Sequence, residues 1–194
     1  MYQILTLGGS LTLRTLLLGK RIQLTSIMDK DIEIIENWYN DTYFLRFYDT
    51  ISAFPHTRNQ INTELNKTRE SNDEYEFAIR DIESGDIVGM CGFNDMQWNN
   101  STAVVYIGIG NNECVNKGIG REALNLLLEF GFYELNLYKL QLNVIEYNEK
   151  AIKLYEKTGF KREGVYREFI NRDGRRFDMY LYGLLRTEWI KMMK

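Results

Sequence analysis

The sequence predicts an α/β (α+β) fold, with one mixed, mostly antiparallel sheet of about six or seven strands flanked by about four helices. Alternating segments between Tyr75 and Ile109, separated by turn residues, are typical of an antiparallel meander. A glycine turn and a helical pattern then lead to another alternating segment, Lys139–Ile145, which predicts a parallel strand reached by a right-handed crossover. Asp173-Gly174 between two further apolar runs indicates a hairpin.

Composition bounds the class of protein. The 194 residues are 44% hydrophobic and 26% charged, which suits one soluble globular domain. The formal net charge of −3 disfavours nucleic acid as a partner and suits a cationic one. Without an apolar run of about 18 residues, no membrane span is expected. Two cysteines, Cys91 and Cys114, indicate a reducing compartment, the cytoplasm, and with one histidine, His56, they predict no metal site.

The N-terminal segment is expected to stand apart from the domain. Residues 1–18 are interpreted as an extension, and residues 19–194 as a single domain. The apolar run Leu11–Leu18 could be mistaken for a signal peptide, but Arg14 interrupts it and neither a basic start nor a cleavage site accompanies it. An extra strand and a misassigned start both remain open.

The first part of the domain predicts a strand and two helices. Arg21–Thr25 is the strand, and Asp29 can cap a helix whose apolar positions follow helical spacing, namely Ile32, Ile35, Trp38 and Tyr39. Thr57–Gln60 forms a capping-box pattern that begins the second helix, which continues to Thr68. The aromatic segment Tyr43–Tyr48 lies between the two helices.

The remaining elements follow from alternation and turn signals. In the meander, the predicted strands are Tyr75–Ile79, Ile87–Trp98 and Thr102–Ile109, with turns at Ser84–Asp86 and Asn99-Asn100. In the tail, the predicted strands are Val165–Phe169 and Met179–Tyr182, with a turn at Asn171–Gly174. A short helix over Leu184–Met193 ends the chain.

The first stretch that indicates a binding site is Val115–Leu124. It follows the apolar strand Val104–Ile109 and opens a helical pattern that continues to about Leu135. A glycine turn that enters a helix presents unpaired amides at the positive end of the helix dipole, which suits a phosphate or pyrophosphate. The spacing is not that of a P-loop, and a dinucleotide fingerprint would need glycine at Ala123. A plain turn with a helix cap is the alternative.

A second stretch, Asn148–Phe160, predicts a short helix with defined ends. Asn148 is a good N-cap, and Gly159 with Phe160 forms a glycine C-terminal cap and its hydrophobic contact. Tyr155 lies on this helix with Ala151 near one side. From spacing alone, Tyr155 could equally be one more buried aromatic residue.

Together the two stretches resemble the GNAT superfamily of acetyl-CoA-dependent N-acetyltransferases. The first is similar to its pyrophosphate loop, Q/R-x-x-G-x-G/A, with Val115 in place of the family's Gln or Arg. The second is similar to its N-x-x-A-x-x-x-Y-x-x-x-G-F segment, and the elements from Val104 to Phe160 match in order. Leu137–Leu140, Asn148–Ile152 and Arg172–Arg175 further resemble a RimJ/RimL-like branch, and also the spermidine/diamine acetyltransferases.

The resemblance implies an enzyme that moves an acetyl group from acetyl-CoA to a primary amine, on a protein N-terminus or a small molecule, by direct attack in a ternary complex. It implies a GNAT fold in which two parallel strands splay apart, with pantetheine paired along Tyr106–Ile109, where Gly108 and Gly110 would allow close approach. Tyr155 would protonate the leaving thiolate. The implied cofactor-binding residues are Ile107, Gly108, Ile109, Val115, Asn116, Lys117, Gly118, Ile119, Gly120, Arg121, Asn148, Ala151 and Tyr155.

Three questions stay open. The acceptor could be spermidine or another diamine, and a non-catalytic acyl-CoA-binding module is the alternative outside enzymes. Oligomeric state is not fixed, with a homodimer as one arrangement. The general base is not identified either, because Asn143 stands where some relatives have a glutamate. Water or one of four acids could serve, namely Glu76, Asp95, Glu113 and Glu146.

Overall fold

A computed structural model describes residues 15–111, 114 and 117–192. Seven strands form one sheet in the order β1-β2-β3-β4-β5-β7-β6. The strands are β1 Ile22–Thr25, β2 Tyr75–Asp81, β3 Ile87–Gln97, β4 Thr102–Ile109, β5 Lys139–Ile145, β6 Lys161–Arg172 and β7 Arg175–Leu185. The helices are α1 Ile32–Asn40, α2 Thr42–Tyr48, α3 Arg58–Glu70, α4 Ile119–Glu129, α5 Glu149–Lys157 and α6 Arg186–Met192. The pair β4–β5 is parallel, and the other pairs are antiparallel, so the predicted mixed sheet is confirmed.

The sheet separates two hydrophobic cores, because successive residues of a strand point to opposite faces. On β2, Ile79 packs into the larger core with α4 and its neighbours. Ala78 points the other way, into a smaller core beneath α1 and α3 that includes Ile35 and Ile61. The face under α1 and α3 also carries the cavity described below.

Local signals explain where the helices begin. The Thr57 amide donates to Gln60 Oε1 at 2.9 Å, and the Gln60 amide donates to Thr57 Oγ1 at 3.4 Å, so the predicted capping box of α3 is confirmed. The approach to α1 is fixed by a buried ion pair in which Arg80 donates to both carboxylate oxygens of Asp31, at 3.1 and 2.7 Å.

The parallel pair opens into a gap. β4 pairs with β5 from Thr102 to Val104, opposite Lys139 to Gln141, although β4 continues to Ile109 and β5 to Ile145. Beyond Val104, the backbone of β4 that faces β5 therefore has no strand partner in the described sheet. An open strand edge of this kind can accept an added extended chain.

Four elements differ from the sequence predictions. The helix α1 begins at Ile32, after a 3₁₀ turn over Asp29–Asp31, rather than at a cap formed by Asp29. The aromatic segment forms the helix α2, and with it the described chain has six helices rather than about four, because runs of aromatic residues carry no apolar–polar period. β6 and β7 are longer than Val165–Phe169 and Met179–Tyr182, since the exposed, charged ends of β6 do not alternate. The helix that begins at Ile119 changes to a π-helical turn over Phe130–Glu134.

The start of the described chain contacts the domain. The Leu24 amide donates to the Leu17 carbonyl at 2.8 Å, and Leu18 forms a β-bridge with Gln23. Residues 1–14 of the expected extension lie outside the described residues, and the boundary at residue 18 stays a prediction. No helix in the described ranges is both long enough and apolar enough to cross a membrane.

Candidate active site

The glycine loop ends in a helix N-terminus, as the sequence predicts. Gly118 has a φ of 81° and serves as the N-cap of α4, a left-handed conformation that favours glycine. The Glu122 amide makes the first helical bond, to the Gly118 carbonyl at 3.1 Å. The amides of Ile119, Gly120 and Arg121 precede that bond and are therefore available to an anion. Val115 and Asn116 lie outside the described residues.

The sequence patterns did not show how this loop is held. Arg21 on the N-terminal side of β1 donates from Nη1 to the Lys117 carbonyl at 2.6 Å and from Nε to Glu122 at 3.2 Å. Glu122 also accepts the Lys20 and Arg21 amides, at 2.6 and 2.8 Å. Burial alone would raise the pKa of Glu122, but these hydrogen bonds outweigh it and lower the pKa. The first turn of α4 is thus fixed to β1, with the Arg21 guanidinium against Gly118.

The end of β4, the start of α4 and the helix α5 meet at Gly120. A Cβ atom placed on Gly120 would lie 3.6 Å from Leu154 Cδ2 and 3.8 Å from Ile109 Cγ1. Ile107 and Ile109 pack on the larger core beside the open edge of β4. The loop amides, the unpaired strand edge and α5 therefore border one gap, in the place where the sequence predicts the cofactor.

The two glycines at the end of β4 have a different structural reason from the one expected. A Cβ atom on Gly108 would lie 2.6 Å from the Tyr48 ring, and one on Gly110 would lie 2.1 Å from the Trp38 ring. Aromatic side chains of α1 and α2 therefore cover these positions. Close approach of a ligand is not needed to explain either glycine, although the backbone edge that faces β5 stays open.

Asn148 joins two helices. Its Oδ1 accepts the Ala151 amide at 3.3 Å and caps α5, as predicted, while its Nδ2 donates to the Phe47 carbonyl at 3.3 Å. The neighbouring Tyr147 hydroxyl donates to the Arg46 carbonyl at 2.5 Å. Asn148 thus positions the start of α5 against α2, which adds a structural role to the one implied by resemblance.

Tyr155 is buried in the larger core, 7% exposed, with its ring 6.1 Å from that of Phe160. Burial raises the pKa of Tyr155 to about 12, so the phenol keeps its proton at neutral pH. Within the described chain, no residue hydrogen-bonds to the hydroxyl. Ala151, one turn earlier on α5, packs against the same core. The side chain is a protonated phenol on the helix that borders the gap.

A cavity of about 300 Å³ lies on the other face of the sheet, between α1–α3 and strands β2–β4. Its volume is in the range of small-molecule sites. Four carboxylates line it, and none of its described lining residues is basic. The lining residues are Ile35, Tyr39, Tyr48, Asp49, Ile61, Glu64, Leu65, Thr68, Glu74, Glu76, Met90, Asn94 and Tyr106. The aromatic segment of α2 contributes Tyr48, so it does line a pocket.

The four acids left open by the sequence have different surroundings. Glu76 is partly buried in the cavity, and its pKa is raised to about 7, chiefly by burial, against the opposing hydrogen bond from Tyr106. Asp95 is exposed, and Glu146 Oε2 accepts the Asp178 amide at 2.9 Å in the β7 region. Glu113 lies outside the described residues. Asn143 is exposed on β5.

Comparison with known proteins agrees with this geometry. A family model described as an acetyltransferase (GNAT) domain matches residues 24–181. N-acetyltransferase p20 of Bacillus licheniformis is 34% identical over 58% of this chain and 63% of its own length. The SPbeta prophage-derived N-acetyltransferase YokL of Bacillus subtilis is 30% identical over 88% of this chain and 93% of its own length. The crystal structure of spermidine N-acetyltransferase from Vibrio cholerae in complex with CoA and spermine superposes with a TM-score of 0.80 at 25% identity, over 88% of this chain and 98% of that one.

The family match covers most of the chain, and the splayed sheet and helix N-terminus are those that the resemblance implied. The chain therefore belongs to the GNAT acetyltransferase family and is an acetyl-CoA-dependent N-acetyltransferase.

Proposed function

We propose that this enzyme transfers the acetyl group to a primary amine by direct attack in a ternary complex. The observation that carries the proposal is the pair of openings on either side of β4. The gap toward β5 suits the thioester, and the acidic cavity beneath α1–α3 suits an amine. Holding donor and acceptor side by side converts a bimolecular reaction into an effectively unimolecular one.

In this proposal the cofactor lies along the gap. The amides from Gly118 to Arg121 bind the pyrophosphate, whereas the Lys117 amide donates to the Cys114 carbonyl at 3.4 Å. Pantetheine pairs with the open backbone edge of Ile107–Ile109. Val115 and Asn116 complete the loop, and Asn148 and Ala151 form the α5 side. Tyr155 donates its proton to the departing thiolate, which prevents the thiolate from attacking the new amide.

The acceptor class follows from charge. Asp49, Glu64, Glu74 and Glu76 line a cavity that has no described basic side chain, and such a site attracts ammonium groups. This favours a small cationic amine over a protein N-terminus, and among such amines a spermidine or diamine acceptor, since the Vibrio cholerae relative binds spermine. A RimJ/RimL-like acceptor, the wider class indicated by the sequence, stays a prediction.

A panel of acceptors tests the proposal. Release of coenzyme A from acetyl-CoA would be followed with spermidine, spermine, a short diamine, an aminoglycoside and ribosomal N-terminal peptides, with mass spectrometry of each product. We expect the highest kcat/KM for an amine that carries a second positive charge. A peptide N-terminus acetylated in preference to every polyamine would contradict the charge argument, and no turnover with any amine would contradict the proposed reaction.

The cofactor assignment predicts a difference between two substitutions at one position. Gly120→Trp should abolish measurable acetyl-CoA binding in calorimetry, because a large side chain would enter the gap bordered by Leu154 and Ile109. Gly120→Ala is the matched control, since its Cβ atom would make ordinary contacts at 3.6 and 3.8 Å, and it should bind nearly as the wild type does. Wild-type affinity in a folded Gly120→Trp variant would show that the pyrophosphate site lies elsewhere.

A further inference from the structure

We propose that Glu76 is the general base that removes a proton from the acceptor ammonium, and that Tyr106 positions its carboxylate. This inference rests on the proposed function and assigns a residue to the step that the sequence left open. It is carried by the arrangement of three adjacent strands at the floor of the acidic cavity.

Glu76, Gly92 and Tyr106 form one row across the sheet. Glu76 of β2 is directly opposite Gly92 of β3, and Gly92 is directly opposite Tyr106 of β4. Residues that are directly opposite in neighbouring strands project to the same face. The side chains of Glu76 and Tyr106 therefore share the face that α1–α3 cover, with a glycine between them.

The glycine makes the contact between them possible. A Cβ atom on Gly92 would lie 2.6 Å from the Tyr106 hydroxyl oxygen, so the tyrosine ring occupies the space that any other residue would fill. The hydroxyl thereby reaches across β3 toward the Glu76 carboxylate, and its interaction with Glu76 lowers the pKa of that carboxylate. Burial raises the pKa of Tyr106 well above its usual value, so this phenol remains a donor at neutral pH.

Tyr106 lies between the Glu76 carboxylate and the gap in which we expect the thioester. Tyr106 is two residues beyond Val104, the last residue of β4 that pairs with β5. It therefore lies where β4 begins to border the cofactor gap, while its side chain points into the acceptor cavity. The base and its positioning residue thus span the cavity from β2 to the strand on which the acyl group is expected.

The surroundings suit a carboxylate that takes up a proton. Ile61, Leu65 and Met90 line the same cavity, so part of the lining around Glu76 is apolar. Burial, together with the charge of Glu74, raises the pKa of Glu76 to about 7, and the Tyr106 hydrogen bond opposes part of that shift. A base works best when its pKa is near the working pH, since it is then both largely ionised and able to hold a proton.

An unpaired acceptor lies in the same cavity. Asn94 Oδ1 is buried and has no hydrogen-bond partner in the described chain. A buried carbonyl oxygen without a partner is costly, and an N–H group of a bound amine would satisfy it. Asn94 is therefore suited to orient the nitrogen whose proton Glu76 removes.

The protons balance in this scheme. Glu76 takes one proton from the ammonium and passes it to solvent through the open cavity. The neutral nitrogen attacks the thioester carbonyl carbon, and the C–S bond then breaks. As the amide forms, the nitrogen loses its second proton, which replaces the proton that Tyr155 gives to the leaving thiolate. One proton is released for each acetyl group transferred.

The test is the pH dependence of kcat/KM with spermidine for the wild type and four variants. For the wild type we expect activity to fall as pH decreases through about 7, the pKa of Glu76. Glu76→Gln keeps the shape and can still accept from Tyr106, but it should lower kcat/KM by at least about 10²-fold at pH 8 and remove this acid limb. Acetyl-CoA affinity should not change.

Two variants should move the acid limb in opposite directions. Tyr106→Phe removes a donor that lowers the pKa of Glu76, so the limb should shift to higher pH. Glu74→Gln removes a like charge that raises this pKa, so the limb should shift to lower pH. Glu70→Gln, an exposed substitution on α3 outside the cavity lining, makes the same charge change and should leave the profile unchanged. A role in packing alone would not produce opposite shifts.

The outcomes separate the two proposals. Wild-type turnover with an unaltered acid limb in folded Glu76→Gln would overturn the role of Glu76 and leave the proposed reaction intact. Wild-type protein that acetylates none of the amines would overturn the proposed function, and this role with it. Loss of turnover in Glu76→Gln together with the opposite shifts in Tyr106→Phe and Glu74→Gln would support the base and its positioning residue.

Discussion

Replacement of Tyr155 by phenylalanine should lower kcat by about 10²–10⁴-fold while acetyl-CoA affinity stays nearly unchanged. The substitution removes the hydroxyl proton that we assign to the leaving thiolate. Since burial raises the pKa of Tyr155 to about 12, the wild-type phenol carries that proton throughout the neutral range. Steady-state kinetics with spermidine, together with calorimetry of acetyl-CoA binding, would measure both quantities.

The fold should tolerate this change. Phenylalanine keeps the ring that packs against Phe160, and the hydroxyl it removes has no hydrogen-bond partner in the described chain. Tyr182→Phe is a control that removes the hydroxyl of another buried tyrosine in the same core. The Tyr182 hydroxyl donates to Glu156 Oε1 at 2.9 Å. This control should cost about 1 kcal/mol of stability and leave kcat within a few-fold of the wild type.

The acyl donor offers a second readout for Tyr155. A thioester whose thiol is more acidic than coenzyme A needs less help from a proton donor, so the loss in Tyr155→Phe should shrink with it. Near-wild-type turnover of Tyr155→Phe on a good acceptor would mean that the tyrosine is structural and that water protonates the thiolate.

Glu76→Gln should stabilise the folded protein by about 3 kcal/mol more at pH 8 than at pH 4. The folded-state pKa of about 7 exceeds the ordinary value of 4.5 by about 2.5 units, and each unit corresponds to about 1.4 kcal/mol. Because the folded-state pKa is raised, the wild type has its full stability from this group below about pH 4.5. It loses that stability as pH rises through about 7, since a buried carboxylate must then be charged.

Denaturant unfolding of both proteins between pH 4 and pH 9 would measure this difference. Comparing the two curves cancels groups that both proteins share, such as the Asp31–Arg80 pair. Parallel curves over the whole range would mean that Glu76 titrates as an exposed glutamate does and would remove the electrostatic support for its role as a base. The gain expected at pH 8 is the reverse of the loss in activity, as is common when a site is optimised for function rather than stability.

Local patterns were sufficient for much of the fold. Thr102–Ile109 and Lys139–Ile145 were predicted with the boundaries that the structure shows, because alternation and turn residues mark them directly. The caps at Thr57 and Asn148 were found for the same reason, since a cap is decided within four residues. The helix α2 was missed, because its aromatic residues contact α1, the sheet at Gly108 and the segment before α5, and so leave no single apolar stripe.

In the candidate site, too, local patterns indicated some residues, and others depend on contacts between distant parts of the chain. The glycine loop and the α5 segment are continuous in sequence, so their spacing alone indicated the cofactor side. The acceptor side depends on Glu76, Gly92 and Tyr106, which come from three strands and meet through sheet register. Sequence named Glu76 among four acids and had no means to place Gly92 beside it. It also had no means to show that Tyr48 and Trp38 cover Gly108 and Gly110.

In the arrangement that we propose, β4 separates the acyl donor from the acceptor, with one bound on each side. A crystal structure with coenzyme A and spermidine tests it most directly. We predict pantetheine in the gap between β4 and β5, pyrophosphate on the amides from Gly118 to Arg121, sulfur beside the Tyr155 hydroxyl, and an amine nitrogen at the Glu76 carboxylate. Coenzyme A bound outside the gap, or spermidine bound outside the acidic cavity, would contradict it.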